Sequence, residues 1–484
     1  MKIGEFVNTF EFKTKPDKHQ LDCFKFGLLH NRFLLGDEQG LGKTKESIDI
    51  AVAKKILYGY RHCLIISCVA SLRYNWVKEV QKHSFENCWV LGARIRRKVT
   101  LNGNKERLED INALLTNESE FPYFIIVNIE TLRNREIYAG IIEAIDAGII
   151  NMIIADEVHK CKNPEAKQTV SFMELRAPSM ILMSGTLVLN NPLDLFVPLY
   201  TIDVYPGNFW SFRNKYCILD KFKTAIIGYR NQPQLRQLVS SCLLRRKKEE
   251  VLDLPDKIYE TELLEMSSKQ LSIYKEVLRY TKEHLDKLMK APNPLTELIR
   301  LRQATAHTAL LSSTVIASVK FERMKELVEE AVINDDKVII FSNWVEVLKL
   351  AAEELKEYQP AHYYGGIKDV NAQEERFHKD PRCKVILGTI DKMGTGLTLT
   401  EASTVIFLDD PWSMGIKDQA ADRAHRRGQQ KAVTIKTLVC MNTIDEVIEQ
   451  IIAKKGAIAD YLVDGKINNR TAILNLIIKE LNKN

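Results

Sequence analysis

The stretch Phe33-Leu-Leu-Gly-Asp-Glu-Gln-Gly-Leu-Gly-Lys-Thr44 reads as a short buried strand, a glycine-bearing loop and the opening of a helix. A loop in that position turns its backbone N–H groups and the helix N-terminus toward one point, which is what a bound anion needs. Gly40, Leu41 and Gly42 then form a phosphate cradle, Lys43 reaches the terminal phosphates, and the Thr44 hydroxyl suits a magnesium ion. The strict phosphate-loop pattern has glycine five residues before Gly42, and Asp37 stands there instead. A glycine turn that merely caps a helix is the competing reading. The strand before the loop and the helix after it favour the phosphate.

Working outward, short apolar runs recur along the chain. Phe33–Leu35, Cys63–Ser67, Tyr123–Asn128, Met152–Ala155 and Met180–Ser184 form one series. Lys337–Ser342, Lys384–Gly388, Thr404–Leu408 and Val433–Leu438 form a second. The runs do not alternate polar with apolar, so both faces should be covered, as in a parallel sheet wrapped by helices. Two such series predict an α/β chain of two lobes with a cleft between them. From about Thr201 to Val319 the texture is helical. Leu271–Met289 carries Leu271, Tyr274, Val277 and Leu278 at helical spacing, and Ala291-Pro-Asn-Pro294 ends that helix. A second helix follows from Leu295 to about Ala309. The run Phe321–Ile333 should pack its apolar face on the second sheet, and the stripe Ile444, Val447, Ile448, Ile451 and Ile452 reads as a packing face.

A length of 484 residues suggests two or three domains. With 45% hydrophobic and 27% charged residues, the composition is that of an ordinary globular protein. A net charge of +6 is weak evidence for a polyanionic partner. Nine cysteines without a CxxC match no zinc or disulfide framework, and reduced thiols in a cytoplasmic protein are expected. The opening MKIGEFVNTFEFKTKPDK has no apolar core of signal-peptide length, and no run is long enough to span a bilayer. Abundant Lys, Asn and Ile hint at an AT-rich genome, such as that of a phage or a low-GC bacterium.

Two further clusters carry chemistry. Asp156-Glu-Val-His159 directly follows the strand Met152–Ala155. A carboxylate at a strand end can hold a hydrated magnesium ion while its neighbour handles an attacking water. Asp156 suits the metal and Glu157 the water. Gln419-Ala-Ala-Asp-Arg-Ala-His-Arg-Arg-Gly-Gln429 places Arg423 and Arg426 three apart, which would set them on one helix face. Their planar forks suit phosphate oxygens and could stabilise a transition state if the lobes close. By itself the run reads better as an exposed basic helix, and only the motifs of the first lobe favour the phosphate role.

Taken together and in order, these pieces resemble the Swi/Snf branch of the superfamily-two helicases. Asp37–Thr44, Asp156–His159, Ser184–Asn191 and Gln419–Gln429 resemble motifs I, II, III and VI, and the form DRxHRxGQ from Asp422 to Gln429 is characteristic. The resemblance runs from about His19 to about Glu449. It implies two RecA-like lobes, parallel sheets flanked by helices, with helical protrusions inserted between them. The expected divisions are 1–200 for the ATP-binding lobe, 201–320 for protrusions and linker, 321–442 for the second lobe and 443–484 for a helical extension. It implies ATP as substrate, Mg2+ as cofactor, and double-stranded DNA as a partner held by its phosphates without sequence preference. Gln20 is the implied adenine contact, and Gly396 in the motif V segment Gly388–Thr400 lies on the ATP side. The implied DNA contacts are Ser71, Asn75 and Trp76 of motif Ia, Thr131, Arg245 and Arg246 of Leu243-Leu-Arg-Arg246, and Thr389. Lys337–Trp344 resembles motif IV. Arg94-Ile-Arg-Arg-Lys98 and Arg245-Arg-Lys-Lys248 are candidate phosphate patches.

The chain departs from the family where Val69 replaces the usual proline of motif Ia and where Thr398 stands in place of a common asparagine. The second departure leans toward annealing-helicase-like members. The expected activity is an ATP-dependent translocase on duplex DNA, acting as a monomer with no membrane association. A strand-separating helicase and an ATP-switched DNA-binding protein without turnover are the alternatives. Forked-duplex unwinding separates the first, and phosphate release the second. Protein partners and the biological DNA target stay open.

Overall fold

The apolar runs form strands whose alternate residues feed two different cores, which is why they read as continuous rather than alternating. In the computed structural model the described residues are 3–453, apart from 69–72, 97–98, 102, 117–120, 162, 186–191, 222–225, 284–294, 394–396 and 412–413. The chain divides into two units, Met1–Leu252 and Asp253–Asn484.

The strands of the first unit are β1 (Arg32–Leu35), β2 (His62–Ser67), β3 (Cys88–Val90), β4 (Arg94–Arg96), β5 (Val99–Leu101), β6 (Phe124–Asn128), β7 (Ile150–Asp156), β8 (Ser179–Met183), β9 (Cys217–Leu219), β10 (Ile226–Tyr229) and β11 (Leu243–Leu244). Seven of them build one sheet in the order β11-β1-β8-β7-β2-β6-β3, parallel throughout. Leu34, Leu64, Ile153 and Leu182 point into one core, and Phe33, Ile65, Ile154 and Ile181 into the other. Each such side chain contributes roughly 1.5–3 kcal/mol through burial. The pairs β4–β5 and β9–β10 are separate antiparallel hairpins.

The second unit contains β12 (Lys257–Leu264), β13 (Lys337–Ser342), β14 (Ala361–Tyr363), β15 (Val385–Thr389), β16 (Ala402–Phe407) and β17 (Val433–Cys440). They form a parallel sheet in the order β12-β17-β16-β13-β15-β14. Helix Val319–Ile333 buries Phe321, Met324, Leu327 and Val328 against it, as its spacing predicts. A smaller core joins Tyr274 and Leu278 of helix Ser268–Glu283, Leu298 and Leu301 of helix Leu295–Ala306, and Ile444, Val447 and Ile448 of helix Ile444–Ala453. The proline-bearing stretch 291–294 lies outside the described residues.

The middle segment 201–320 is divided between the units rather than standing apart. Its Leu243–Leu244 extends the first sheet, and its Lys257–Leu264 is a full edge strand of the second. It also carries the β9–β10 hairpin, so it is not helical throughout. All nine cysteines are free thiols. Among the described residues no helix is long and apolar enough to cross a membrane.

Candidate nucleotide site

A parallel sheet delivers the loops that follow its strands to one edge. In the first unit β1, β8 and β7 are neighbours, so the loops beginning at Gly36, Ser184 and Glu157 emerge side by side. Gly40 and Gly42 have φ of 89° and 91°, the left-handed region that favours glycine. A Cβ at Gly42 would collide with Gln20 Nε2. His19 Nε2 and Gln20 Nε2 both donate to the Leu41 carbonyl, at 2.9 and 3.1 Å, and Gln20 Oε1 accepts from the Asp17 amide. Gln20 therefore braces the loop from helix Lys18–Leu29.

Lys43 begins helix Lys43–Tyr58, and its Nζ donates to the carbonyls of Asp37 at 2.7 Å and Glu38 at 3.3 Å. Burial lowers its pKa, and the charges of Glu157, Asp37 and Asp156 oppose that shift. Asp156 closes β7, opposite Ser67 of β2. Burial and the neighbouring Glu157 carboxylate push its pKa up to about 7, against the pull of Lys43 and the Trp76 indole. Trp76 Nε1 donates to Asp156 Oδ2 at 3.1 Å. Glu157 has a φ of 55°, the left-handed region that few non-glycine residues adopt. Gln39 Nε2 donates to its Oε1 at 3.4 Å, and His159 Nδ1 lies 3.1 Å from its Oε2 and 3.0 Å from Ser184 Oγ. The loops after β1, β7 and β8 are thus linked through Gln39, Glu157, His159 and Ser184. Sequence reasoning singled out Glu157 but assigned nothing to Gln39 or His159.

The donor set fits a magnesium nucleotide. Among the described residues no group of three or more His, Cys, Asp or Glu side chains converges to cage a metal. Mg2+ is ordinarily held by one or two protein oxygens and the substrate's phosphates. Thr44 and Asp156 would supply those oxygens, and a lysine whose charged form burial disfavours suits a site completed by an anion.

Several expected DNA contacts stand elsewhere. Arg246 has partners within the protein: its guanidinium pairs with Asp37, donates to Glu46 Oε1 at 2.9 Å and to the His19 carbonyl. Burial works against its charge, but the bonds to Asp37 and the charge of Glu46 outweigh that and raise its pKa. Asp37, the residue that breaks the strict loop pattern, also accepts from the Arg246 amide at 2.9 Å and so fixes β11 beside β1. Trp76 is buried beneath Asp156, and Thr131 is buried with its hydroxyl donating to Asn128 Oδ1 at 2.8 Å. Each donates its polar hydrogen to a neighbouring side chain of the protein. Asn75 is half-buried, Arg245 is exposed, and Thr389 ends β15, half-buried. Ser71, Gly396, the part of motif III from Thr186 to Asn191, and Arg97-Lys98 of the first basic patch lie outside the described residues.

In the second unit, Arg423 and Arg426 do not share a helix. Helix Met414–Ala421 ends before them and both sit on turns. Arg423 Nε donates to the Gln419 carbonyl at 3.2 Å, and the Gln429 side-chain amide donates to the carbonyls of Ala424 and Ala402, which ties the turn to β16. Arg423 is buried, and its Nη1 reaches the Leu397 carbonyl at 3.3 Å. Arg426 is half-buried, and its Nη1 donates to Thr398 Oγ1 at 3.1 Å. The unusual Thr398 is thus a partner of the second arginine. Both arginines brace residues 397–399, just ahead of β16.

Comparison with known proteins follows the same outline. The SNF2-related domain matches residues 19–310, and the helicase conserved C-terminal domain matches residues 319–428. An uncharacterized ATP-dependent helicase of Mycoplasma pneumoniae is 28% identical over 439 residues, covering 89% of this chain and 40% of that protein. The DNA annealing helicase and endonuclease ZRANB3 of Bos taurus is 28% identical over 478 residues, 92% of this chain and 40% of that protein. The chain thus spans about two fifths of the length of these curated relatives. The Sulfolobus solfataricus SWI2/SNF2 ATPase core in complex with dsDNA aligns with a TM-score of 0.43 and 25% identity, over 98% of this chain and 97% of that one.

Proposed function

Because the chain belongs to the SNF2-related family of helicase-type ATPases, we propose that it couples ATP hydrolysis to movement along double-stranded DNA. The observation that carries this reading is the convergence of the loops after β1, β7 and β8, with Glu157 tied to both neighbouring loops. Lys43 and the amides of the cradle bind and orient the phosphates of ATP. Thr44 and Asp156 hold Mg2+, which when bound neutralises phosphate charge. Glu157 orients the attacking water, and His159 and Gln39 hold its carboxylate in register with Ser184. Of the two arginines, Arg426 is assigned to the phosphates and Arg423 to holding residues 397–399. Gln20 is assigned to the cradle first and to adenine through it.

Movement along DNA is supported by the names of the relatives, helicases in both cases. A motor that must pass over any sequence should hold phosphates rather than base edges. Glu157→Gln should lower phosphate release at least about a hundred-fold, a loss of the size seen when one transition-state group is removed, while ATP still binds. Blunt duplex DNA should raise the wild-type rate several-fold. Normal turnover in the purified variant would remove Glu157 from its role, and a wild-type rate indifferent to every nucleic acid would rule out a translocase.

A further inference from the structure

The first unit carries a surface that the nucleotide site does not use. Helix Phe209–Tyr216 runs directly into the β9–β10 hairpin, and helix Gln232–Ser240 follows. Among the described residues of 209–236, five are basic (Arg213, Lys215, Lys221, Arg230 and Arg236) and one, Asp220, is acidic. The chain as a whole is nearly balanced, at +6 over 484 residues, so this is a local concentration of charge. The fold gathers it. Arg230 donates its amide to the Tyr216 carbonyl at 2.9 Å and its guanidinium to the Asn214 carbonyl, and Asn231 Nδ2 donates to the Lys215 carbonyl at 2.7 Å. Lys215 and Arg230 therefore meet at the hairpin's base, and Lys221 lies toward its tip.

Large apolar side chains stand among these cations in the open. Trp210 is 56% exposed, Ile227 68% and Tyr229 37%. Exposed apolar residues scattered singly need no explanation. Several within twenty residues, two of them aromatic and interleaved with basic groups, form a pattern that does. Arg213 lies over the Trp210 ring at 5.6 Å and so holds the indole in place at the surface. Cations alone suit the phosphates of any duplex. Exposed rings add nothing there, because base faces inside a duplex are covered by their neighbours. Unpaired bases offer those faces, and base–aromatic stacking tolerates any sequence.

We propose that the helix-and-hairpin segment carrying Trp210, Tyr229, Lys215 and Arg230 binds unpaired nucleotides of DNA, with the rings stacking on bases and the cations meeting phosphates. It rests on the duplex-motor reading only in taking DNA as the partner. The chain would then prefer a duplex bearing a single-stranded overhang to a blunt duplex.

The test is fluorescence anisotropy with a labelled oligonucleotide, a blunt duplex and an overhang duplex, on wild type, on Trp210→Ala/Tyr229→Ala and on Trp210→Phe/Tyr229→Phe. The alanine pair should weaken oligonucleotide and overhang binding about ten-fold or more and leave blunt-duplex binding and duplex-stimulated ATPase unchanged. The phenylalanine pair should restore most of the loss. Equal losses on blunt and overhang DNA, or none on either, overturn the proposal. So does tighter binding of poly-glutamate than of an oligonucleotide of equal charge, which would mark an acidic-protein surface. If duplex fails to stimulate ATPase but ring-dependent oligonucleotide binding persists, the motor reading falls and the surface stands. The reverse pattern sinks the surface alone.

Discussion

Trp76 is a side chain whose place in the sequence implies one role and whose packing supplies another partner. Its place in the Ser71–Trp76 segment points outward to DNA, yet the indole is buried and its N–H ends on Asp156 Oδ2. That bond fixes one carboxylate oxygen, and the other is the one proposed for Mg2+. Trp76→Phe keeps an aromatic ring in the core but loses the N–H and some of the indole's volume. Magnesium titration of the ATPase should show a several-fold higher half-saturating Mg2+, with the maximal rate less affected, because a bond worth about 1.5–3 kcal/mol to a charged acceptor is lost. An unchanged magnesium requirement would reduce Trp76 to packing. Arg245 and Arg246 make the same point as neighbours. Arg246→Met strands Asp37 and Glu46, whose pKa burial and Asp37 already push up to about 8, without their cation. Urea unfolding should register a loss of roughly 3–5 kcal/mol. Arg245→Ala, at an exposed position, should leave stability within about 0.5 kcal/mol and weaken DNA binding instead. Similar stability losses in the two variants would mean that the Asp37–Glu46 cluster does not need its arginine.

At the level of elements, all nine apolar runs became strands because each feeds two cores at once. The strands that were not legible lack that signature. Lys257–Leu264 is an edge strand with most of its side chains exposed, so Lys-Ile-Tyr-Glu-Thr-Glu-Leu-Leu reads as linker. Leu243–Leu244 and Ala361–Tyr363 are too short to carry a period. The arginine turn at 422–429 was misread as helix because nothing local announces that distant carbonyls will claim its donors. Helix Lys43–Tyr58 offers an element-scale test. Its fully buried Lys54 donates to the His30 carbonyl, to Asn31 Oδ1 and to Ser179 Oγ at 2.9 Å, clamping the helix to the segments that lead into β1 and β8. Burial lowers its pKa to about 8. The unfolded chain keeps that proton to about 10.4. Between those values the unfolded state binds more protons, so this residue's contribution to stability rises with pH. Comparing urea unfolding of wild type and Lys54→Met at neutral pH and near pH 10, the wild type should gain on the variant by about 2 kcal/mol. A gap that is constant with pH would mean the lysine is not desolvated in the folded chain.

For the whole molecule the decisive feature is that each unit owns its cores. The two faces of the first sheet are packed by residues before Leu252, and those of the second by residues after Asp253. Cooperative unfolding follows the core, since a residue is lost when the side chains around it are lost. Scanning calorimetry should therefore resolve two transitions. The phosphate cradle, Lys43, Asp156 and Glu157 all belong to the first unit. A non-hydrolysable ATP analogue with Mg2+ should raise the transition of that unit more than that of the other, whose one assigned phosphate contact is Arg426. At a hundred times its dissociation constant a ligand adds about 2.7 kcal/mol. For a unit of this size that is roughly 5–10 °C. Lys43→Ala should cancel the shift without lowering the unliganded transition by more than a few degrees, because Lys43 caps no core and spends its charge on two loop carbonyls. A single transition that moves as a whole would mean that the units unfold together, and a shift that survives Lys43→Ala would place the nucleotide away from the cradle.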